Sequence, residues 1–192
     1  MTTTTTAERL SARERLLAAA DELFYEDGIH TVGIDRIIER AGVAKASLYN
    51  TFGSKDELVR AYLTRRHEAR QARIEAALTG RSTPRDKILG VFDTQAEYVL
   101  LPNYRGCAFL NASAESQPGS VAEVVSAENR AWLRRLFTEL AAEVGVPDPE
   151  RLAERLVILY DGASVGARMD GNPHAVVAAR EVAELLVDAA NA

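Results

Sequence analysis

Cysteine is almost absent from this sequence, since Cys107 is the only one among 192 residues. A single cysteine excludes an intramolecular disulfide and fits the reducing conditions of a cytoplasm. The three histidines, His30, His67 and His174, lie far apart in the sequence and show no metal-ligand spacing. We therefore expect no structural metal, and no pattern in the sequence indicates a cofactor.

Long apolar runs are also missing. No stretch approaches the roughly 18 apolar residues of a membrane-spanning helix. Residues 1–6 are polar and lack the apolar core of a signal peptide. The sequence therefore contains no signal for membrane insertion or export, and we expect a cytoplasmic protein.

Positive charge is not in excess either, because 28 acidic residues outnumber 23 basic ones and give a net charge of -5. Nonspecific architectural DNA-binding proteins depend on a long basic surface, so the acidic total weighs against that class. A hydrophobic fraction of 47% is sufficient for a packed core. The composition therefore indicates a globular protein of one or two small domains, in which any DNA contact depends on local arrangement.

A helix-turn-helix pattern occupies residues 34–52. The apolar residues of its first helix recur at i, i+3, i+4 and i+7: Ile34, Ile37, Ile38 and Ala41. Gly42 then ends this helix, because glycine accepts the left-handed conformation of a tight turn. In the second helix, Leu48 and Phe52 are four residues apart and predict a buried face. Two helices joined in this way place the second one in the major groove of DNA.

The opposite face of that second helix carries polar side chains suited to DNA. A cation and hydroxyls reach phosphates, and Asn50 is able to pair with a base edge. Ser54 and Glu57 form the capping box S-x-x-E of the next helix, whose exposed amides and Lys55 suit a phosphate. The candidate DNA-binding residues are Lys45, Ala46, Ser47, Tyr49, Asn50, Thr51 and Lys55.

Each of these candidates also has a simpler interpretation. For Lys45 the alternative is an ordinary surface lysine, and for Tyr49 it is packing against the neighbouring helix. For Asn50 the alternatives are a base edge, a phosphate or no contact with DNA. The position of Lys45 after the glycine turn, with Lys55 opening the next helix, favours the DNA-binding interpretation.

A longer sequence pattern extends this interpretation to a family. The run AGVAKASLY at residues 41–49, followed by Phe52, Ser54-Lys55 and Glu57-Leu58, resembles the TetR family of bacterial transcriptional regulators. The resemblance is close over residues 10–65 and elsewhere concerns only length, helical pattern and order. It implies a homodimer whose N-terminal domain binds a palindromic operator and whose C-terminal helices form a small-molecule pocket. It also implies repression and a contact between the Tyr49 hydroxyl and a phosphate.

Four positions depart from the usual pattern of that family. Ala44 stands where serine or threonine commonly caps the recognition helix, which leaves an amide unsatisfied at a cost of about 1 kcal/mol. Ile38 stands where alanine is usual, which predicts a slightly wider crossing of the two helices. Asn50 and Thr51 replace an aromatic residue and a histidine. The operator is therefore expected to differ from those of the best-known members.

The rest of the chain predicts further helices and an all-α fold. Ser11 and Glu14 make a capping box for a first helix that ends at Gly28. Later helices run from Ser54 to about Thr79 and begin near residues 84, 106, 120, 149 and 173. We expect a disordered arm at 1–10, a three-helix DNA-binding domain at 11–56 and a helical ligand-binding and dimerisation domain at 57–192. Arg9 and Arg13 are candidates for minor-groove contact, with solvated charges as the alternative.

Aromatic and polar residues of the second domain are candidates for a ligand pocket, because pockets combine apolar walls with a few polar groups. They are Phe92, Tyr98, Tyr104, Phe109, Asn111, Trp132 and Tyr160, for each of which ordinary core is the alternative. The last two helices predict a four-helix dimer interface with a second chain. Its candidate residues are Leu159, Gly162, Gly166, Val182, Leu185 and Leu186.

Together these patterns predict a cytoplasmic, homodimeric transcriptional repressor that a small molecule releases from its operator DNA. The alternative from another class is a helical carrier or enzyme whose N-terminal unit is only structural. No nucleophile paired with a base, phosphate-binding glycine loop or metal cluster supports an enzyme.

Overall fold

The computed structural model describes residues 10–191, and all regular elements in that range are α-helices, as the sequence predicts. The helices are α1 (Ala12–Asp27), α2 (Ile34–Ala41), α3 (Lys45–Phe52), α4 (Lys55–Leu78), α5 (Pro84–Val99), α6 (Ala108–Glu115), α7 (Val121–Val144), α8 (Pro149–Asp170) and α9 (His174–Ala190). Most of the predicted arm, including Arg9, lies outside the described residues. Within 10–191, every helix is too short or too polar to cross a membrane.

The chain divides into two compact units, one ending at Tyr62 and the other beginning at Leu63. This division falls within α4, as does the predicted domain boundary after residue 56. The predicted DNA-binding residues thus belong to the N-terminal unit, and the predicted pocket and dimer residues belong to the C-terminal unit.

Local sequence signals set the ends of the N-terminal helices. Ser11 and Glu14 form the expected reciprocal capping box at the start of α1, and Gly28 follows its end. Gly42 ends α2 in the left-handed conformation, with φ of 61°, and its N–H donates to the carbonyls of the last turn. In this conformation an L-residue with a side chain would be strained, so glycine is required at the turn.

The core of the N-terminal unit forms where α1 packs against α2 and α3. Leu16, Ile37 and Leu48 are fully buried, one from each helix. The rings of Phe24 and Tyr62 pack at a centroid distance of 5.5 Å. Apolar side chains spaced at helical intervals thereby hold α3 with one face inward and the other outward.

The C-terminal unit has a larger core, made mainly by α5, α7, α8 and α9. Phe92 and Phe137 are fully buried at a centroid distance of 5.8 Å, and Tyr160 lies 5.9 Å from Phe92. Helices α8 and α9 approach closely at Gly166, where an added Cβ would lie 2.6 Å from the Cβ of Ala175. The glycine is therefore needed for the α8–α9 packing.

Candidate DNA-binding helix and ligand cavity

The turn between α2 and α3 is held from behind by α1. The Arg15 guanidinium donates hydrogen bonds to the carbonyls of Ala41 and Gly42, at 3.2 and 3.0 Å. Sequence reasoning did not find this contact, because Arg15 lies 26 residues from Ala41 and resembles any other helix-surface arginine. The conformation of this turn sets the direction of α3. By holding the turn in place, Arg15 therefore helps to position α3.

Helix α3 has the predicted division into two faces. Leu48 is fully buried and Phe52 is half-buried, so these two side chains anchor the helix. Ala44 is the N-cap residue in an extended conformation, and its side chain makes no capping hydrogen bond. The expectation that this helix begins without a side-chain cap is therefore confirmed.

The predicted DNA-binding residues of α3 all lie outside the core. Lys45, Ala46, Tyr49, Asn50 and Thr51 are exposed, and Ser47 is half-buried. The structure thus brings the predicted set together on the outer side of one helix of two turns. Contact between these side chains and DNA remains a prediction.

Two of these polar groups already have intramolecular partners. Lys45 Nζ lies 3.0 Å from Asp35 Oδ1 on α2, and this hydrogen bond and charge raise the pKa of Lys45. Both side chains are largely exposed, so the pair is readily exchanged for another anion. Thr51 Oγ1 donates to the carbonyl of Ser47 at 2.6 Å, which leaves its oxygen as an acceptor. Thr51 is therefore less suited to phosphate than Lys45.

The start of α4 supplies the remaining candidate. The Glu57 N–H donates to Ser54 Oγ at 3.1 Å, which is one half of the predicted capping box, while the Glu57 carboxylate pairs with Arg60. Lys55 is half-buried, with its Nζ 5.9 Å from the centroid of the Phe24 ring. Arg13, a candidate for minor-groove contact, lies over the Phe52 ring at 5.6 Å.

A cavity of about 270 Å³ lies within the C-terminal unit. Its lining residues come from α4, α6, α7 and α8 and from the residue before α6: Arg70, Cys107, Phe109, Leu110, Ser113, Glu123, Ser126, Ala127, Asn129, Arg130, Leu133 and Asp161. Phe109 is the one predicted pocket residue in this lining. The cavity combines apolar walls with several polar groups, which is typical of small-molecule sites.

The other predicted pocket residues have structural surroundings of their own. Phe92 and Tyr160 belong to the buried core, and Trp132 packs against it. Tyr98 and Tyr104 meet edge to face at 5.8 Å. The Tyr104 hydroxyl donates to the carbonyl of Ser164 at 3.0 Å, and burial raises its pKa to about 12. Asn111 Nδ2 donates to the carbonyl of Arg105, at 3.0 Å.

Arg70 is the cavity residue that sequence reasoning missed. Only 9% of its surface is exposed, and its guanidinium lies between the Phe109 ring at 4.8 Å and the Tyr160 ring at 5.9 Å. It donates to Cys107 Sγ at 3.4 Å and to Asn129 Oδ1 at 3.5 Å. The sequence did contain a signal that Arg70 is buried. Arg70 lies seven residues after Leu63 and four before Ile74, which are helical intervals, and both of these residues are on the buried side of α4.

Arg70 and Cys107 influence each other's ionisation. Burial raises the pKa of the Cys107 thiol, but the charge and hydrogen bond of Arg70 and the backbone hydrogen bonds of Leu110 and Phe109 together lower it, so the net shift is downward. Burial also lowers the pKa of Arg70, yet the electrostatic effects of Cys107 and Tyr160 raise it to above its ordinary value. Arg70 therefore remains a cation in its buried position.

The predicted dimer residues lie on an apolar surface formed by α8 and α9. Leu185 is 68% exposed, Val182 and Gly162 are exposed, and Leu159, Gly166 and Leu186 are half-buried. The same two helices expose further large apolar side chains: Ile158, Val165, Met169 and Val177. At Gly162 an added Cβ would meet no atom of residues 10–191 within 4 Å, apart from the adjacent residues and the nearby backbone of its own helix.

Comparison with known proteins identifies the family. The model of "Bacterial regulatory proteins, tetR family" matches residues 16–62, which hold the helix-turn-helix. A crystal structure of a TetR-family transcriptional regulator from Streptomyces coelicolor is 34% identical, covers 94% of this chain and 96% of its own, and superposes with a TM-score of 0.90. The chain belongs to the TetR family.

Curated relatives agree with TetR-family membership. The transcriptional regulator AcuR of Cereibacter sphaeroides is 30% identical over 174 residues, which cover 84% of this chain and 78% of AcuR. The transcriptional activator FasR of Mycolicibacterium smegmatis is 34% identical over 87 residues, which cover 45% of this chain and 40% of FasR. This TetR-family protein is thus a DNA-binding transcriptional regulator and not an enzyme, as the sequence predicts.

Proposed function

We propose that this TetR-family regulator is a homodimeric repressor that binds a palindromic operator through α3 and leaves it when a small molecule occupies the C-terminal cavity. The observation that carries the proposal is the two-faced α3 helix. Leu48 is fully buried beneath it, while five of its eight residues are exposed, among them the predicted DNA contacts Lys45, Tyr49 and Asn50. A rigidly anchored helix with a polar outer face is what a major groove accepts.

The side chains of α3 suggest a division of roles on DNA. Lys45, Ser47 and Tyr49 are assigned to phosphates, because an ammonium group and hydroxyls donate to phosphate oxygens. Asn50 is assigned to a base edge, where an amide pairs with adenine, and Ala46 and Thr51 to apolar or hydroxyl contacts beside it. Lys55 is assigned to a phosphate at the start of α4. Lys45 would exchange its exposed Asp35 partner for the phosphate.

Dimerisation is proposed through α8 and α9. Exposed apolar surface of this extent, with Leu185 at 68% exposure, costs free energy in water and is typical of an interface. A second copy of the pair would complete a four-helix bundle, and the small residue Gly162 would let the partner helix come close. Leu185→Glu is expected to produce monomers in sedimentation. Leu100→Glu, at a residue that is 66% exposed and lies outside α8 and α9, is the matched control.

In this proposal, the spacing of the two recognition helices in the dimer determines both repression and release. Binding of a ligand would favour the dimer state whose recognition helices no longer match successive major grooves, about 34 Å apart. The NemR protein of Escherichia coli, 31% identical over 105 residues that cover 54% of this chain and 53% of NemR, is a transcriptional repressor. FasR is an activator, so the direction of regulation needs its own measurement.

Selection of bound sequences from random duplex DNA by the purified chain, at two salt concentrations, tests the proposal. A palindrome with half-sites about one helical turn apart is the expected result. The selected duplex, placed upstream of a reporter, then distinguishes repression from activation. Binding that depends on salt but shows no sequence preference would overturn the proposal.

A further inference from the structure

Arg70 has an unusual position for a charged side chain. It is 9% exposed, and its partners within residues 10–191 are a thiol, an amide and two aromatic rings, with no carboxylate among them. Its hydrogen bond to Asn129 Oδ1 is long, at 3.5 Å, and the one to Cys107 Sγ, at 3.4 Å, is made to a weak acceptor. A guanidinium carries five N–H donors in a planar fork, so most of its hydrogen-bonding capacity is unused by these two contacts.

A buried cation of this kind is stabilised by an anion. Burial of a charge costs free energy unless the charge is paired, and a carboxylate pairs with a guanidinium through two parallel hydrogen bonds. The rings of Phe109 and Tyr160 offset part of that cost through cation–π attraction. A ring face does not replace a hydrogen-bond acceptor, and Arg70 lines the cavity, so its remaining N–H groups can pair with a ligand there.

The acidic residues in the cavity wall have other partners. Asp161 pairs with Arg130, and the Glu123 carboxylate accepts a hydrogen bond from the N–H of Gly119. Arg130 thereby has a carboxylate partner in the wall, whereas the hydrogen-bond partners of Arg70 among residues 10–191 are a thiol and an amide. Apolar side chains fill much of the remaining wall, namely Phe109, Leu110, Ala127 and Leu133.

From this arrangement we infer that the cavity binds a small monocarboxylate with an apolar body, whose carboxylate pairs with Arg70. The inference rests on the proposed ligand-responsive function and specifies the chemical class of its ligand. A phosphate dianion fits less well, because Arg70 alone would have to pair with both of its charges, in a wall whose other cation, Arg130, already pairs with Asp161. At roughly 30 Å³ for each water-sized group, the volume of about 270 Å³ suits on the order of nine non-hydrogen atoms.

The test compares acids with their neutral amides on the full-length chain. The probes are straight-chain carboxylates of about four to eight carbons, benzoate and phenylacetate, each with its primary amide, which has nearly the same shape. Isothermal titration calorimetry is expected to show saturable binding of at least one acid, at least about tenfold tighter than its amide. Absence of binding by every acid in the series, or equal binding of acid and amide, would overturn the inference.

Variants on α4 locate the charge that is responsible. Arg70→Met is expected to weaken binding of the acid by at least about tenfold and to leave the amide unchanged. Arg65→Met removes the same charge from an exposed position of the same helix and is expected to change neither. Should Arg70→Met fail to fold by circular dichroism, the acid–amide comparison on the unaltered chain and the charge-retaining Arg70→Lys decide. Equal losses in the Arg65 and Arg70 variants would contradict the inference.

Operator binding on the same samples separates this inference from the proposed function. Release of the operator by a neutral compound that competes for the cavity, with no acid binding, would overturn the inference and leave the proposed function standing. If an acid binds through Arg70 but the chain prefers no DNA sequence, the inference about the ligand stands and the proposed function is overturned.

Discussion

The two units of this chain place their candidate sites in opposite environments. In the N-terminal unit the site is the outer face of one short helix, where the side chains meet solvent. In the C-terminal unit it is a cavity whose lining comes mainly from four helices, of which α4 and α8 are distant in sequence from α6 and α7. The pattern of a helix face is readable from local periodicity, whereas a cavity exists only after the helices have packed.

Lys45 is exposed in the N-terminal site and Arg70 is buried at the C-terminal cavity, so the two charges contribute differently to stability and binding. The pairs Lys45–Asp35 and Arg40–Glu22 are exposed, so they contribute little to stability and exchange readily with other ions. Arg70 is buried, so its charge must be compensated by the protein or by a ligand. The N-terminal unit can therefore gain a DNA phosphate at low cost, while the C-terminal unit can discriminate ligands by charge.

The largest expected effect is on the core of the C-terminal unit. Phe137 is fully buried and packs on Phe92, so Phe137→Ala should lower the free energy of unfolding by about 3–5 kcal/mol. Denaturant titration followed by circular dichroism measures the change. Phe52→Ala, at a half-buried ring of the N-terminal unit, should cost less. Equal losses would contradict the difference in packing between the two units.

The next effect tests whether the two sites are separate. Lys45→Ala combined with Tyr49→Ala should weaken operator binding on the order of 100-fold, since each substitution removes a hydrogen bond to a charged phosphate. Fluorescence anisotropy on the selected duplex measures the loss, and the slope of log affinity against log salt should fall by about two units, one for the lysine lost from each subunit of the dimer. Binding of the carboxylate probe should stay unchanged.

Arg155→Ala is the control for that pair of substitutions. It removes a positive charge from an exposed position of the C-terminal unit. Operator affinity should remain within a factor of about two, because Arg155 is not among the residues predicted to contact phosphate. A loss equal to that of the double variant would mean that total charge, and not α3, determines binding.

The fold and the exposure of the candidate residues on α3 were more predictable from the sequence than the cavity. The i, i+3, i+4 and i+7 spacing from Ile34 to Ala41 and the exposed residues around Leu48 depend only on helical geometry, which is local. Phe92 and Tyr160, predicted for the pocket, instead belong to the core, because apolar walls and core have the same composition. Arg70 needed knowledge of which helices would pack beside it.

A third prediction uses the single thiol to report on the buried charge. Arg70→Met should raise the pKa of Cys107, because the burial that raises it remains and the cation that lowers it is removed. The ultraviolet absorbance of the thiolate against pH measures this, with Cys107→Ser as the blank and Arg65→Met as the control. An unchanged titration in Arg70→Met would contradict the contact between the guanidinium and the sulfur.

The same shift predicts a pH dependence of stability. The folded pKa of Cys107 is depressed, so its ionisation stabilises the fold above the pKa of the unfolded thiol. That contribution is lost as the pH falls through the folded pKa. The free energy of unfolding of Cys107→Ser should therefore approach that of the unaltered chain at lower pH. The gap between the two should widen as the pH rises.

The smallest expected effect concerns the missing cap of α3. Ala44 has the extended conformation of an N-cap, with φ of -72° and ψ of 150°, so a serine there can accept from an amide of the first turn. Ala44→Ser should stabilise α3 by about 1 kcal/mol, and Ala46→Ser, inside the helix, should not. Amide hydrogen exchange measures the effect in α3, with the amides of α8 as the internal reference. If Ala44→Ser slows no exchange in α3, water already satisfies those amides, and burial of Leu48 alone holds the helix in place.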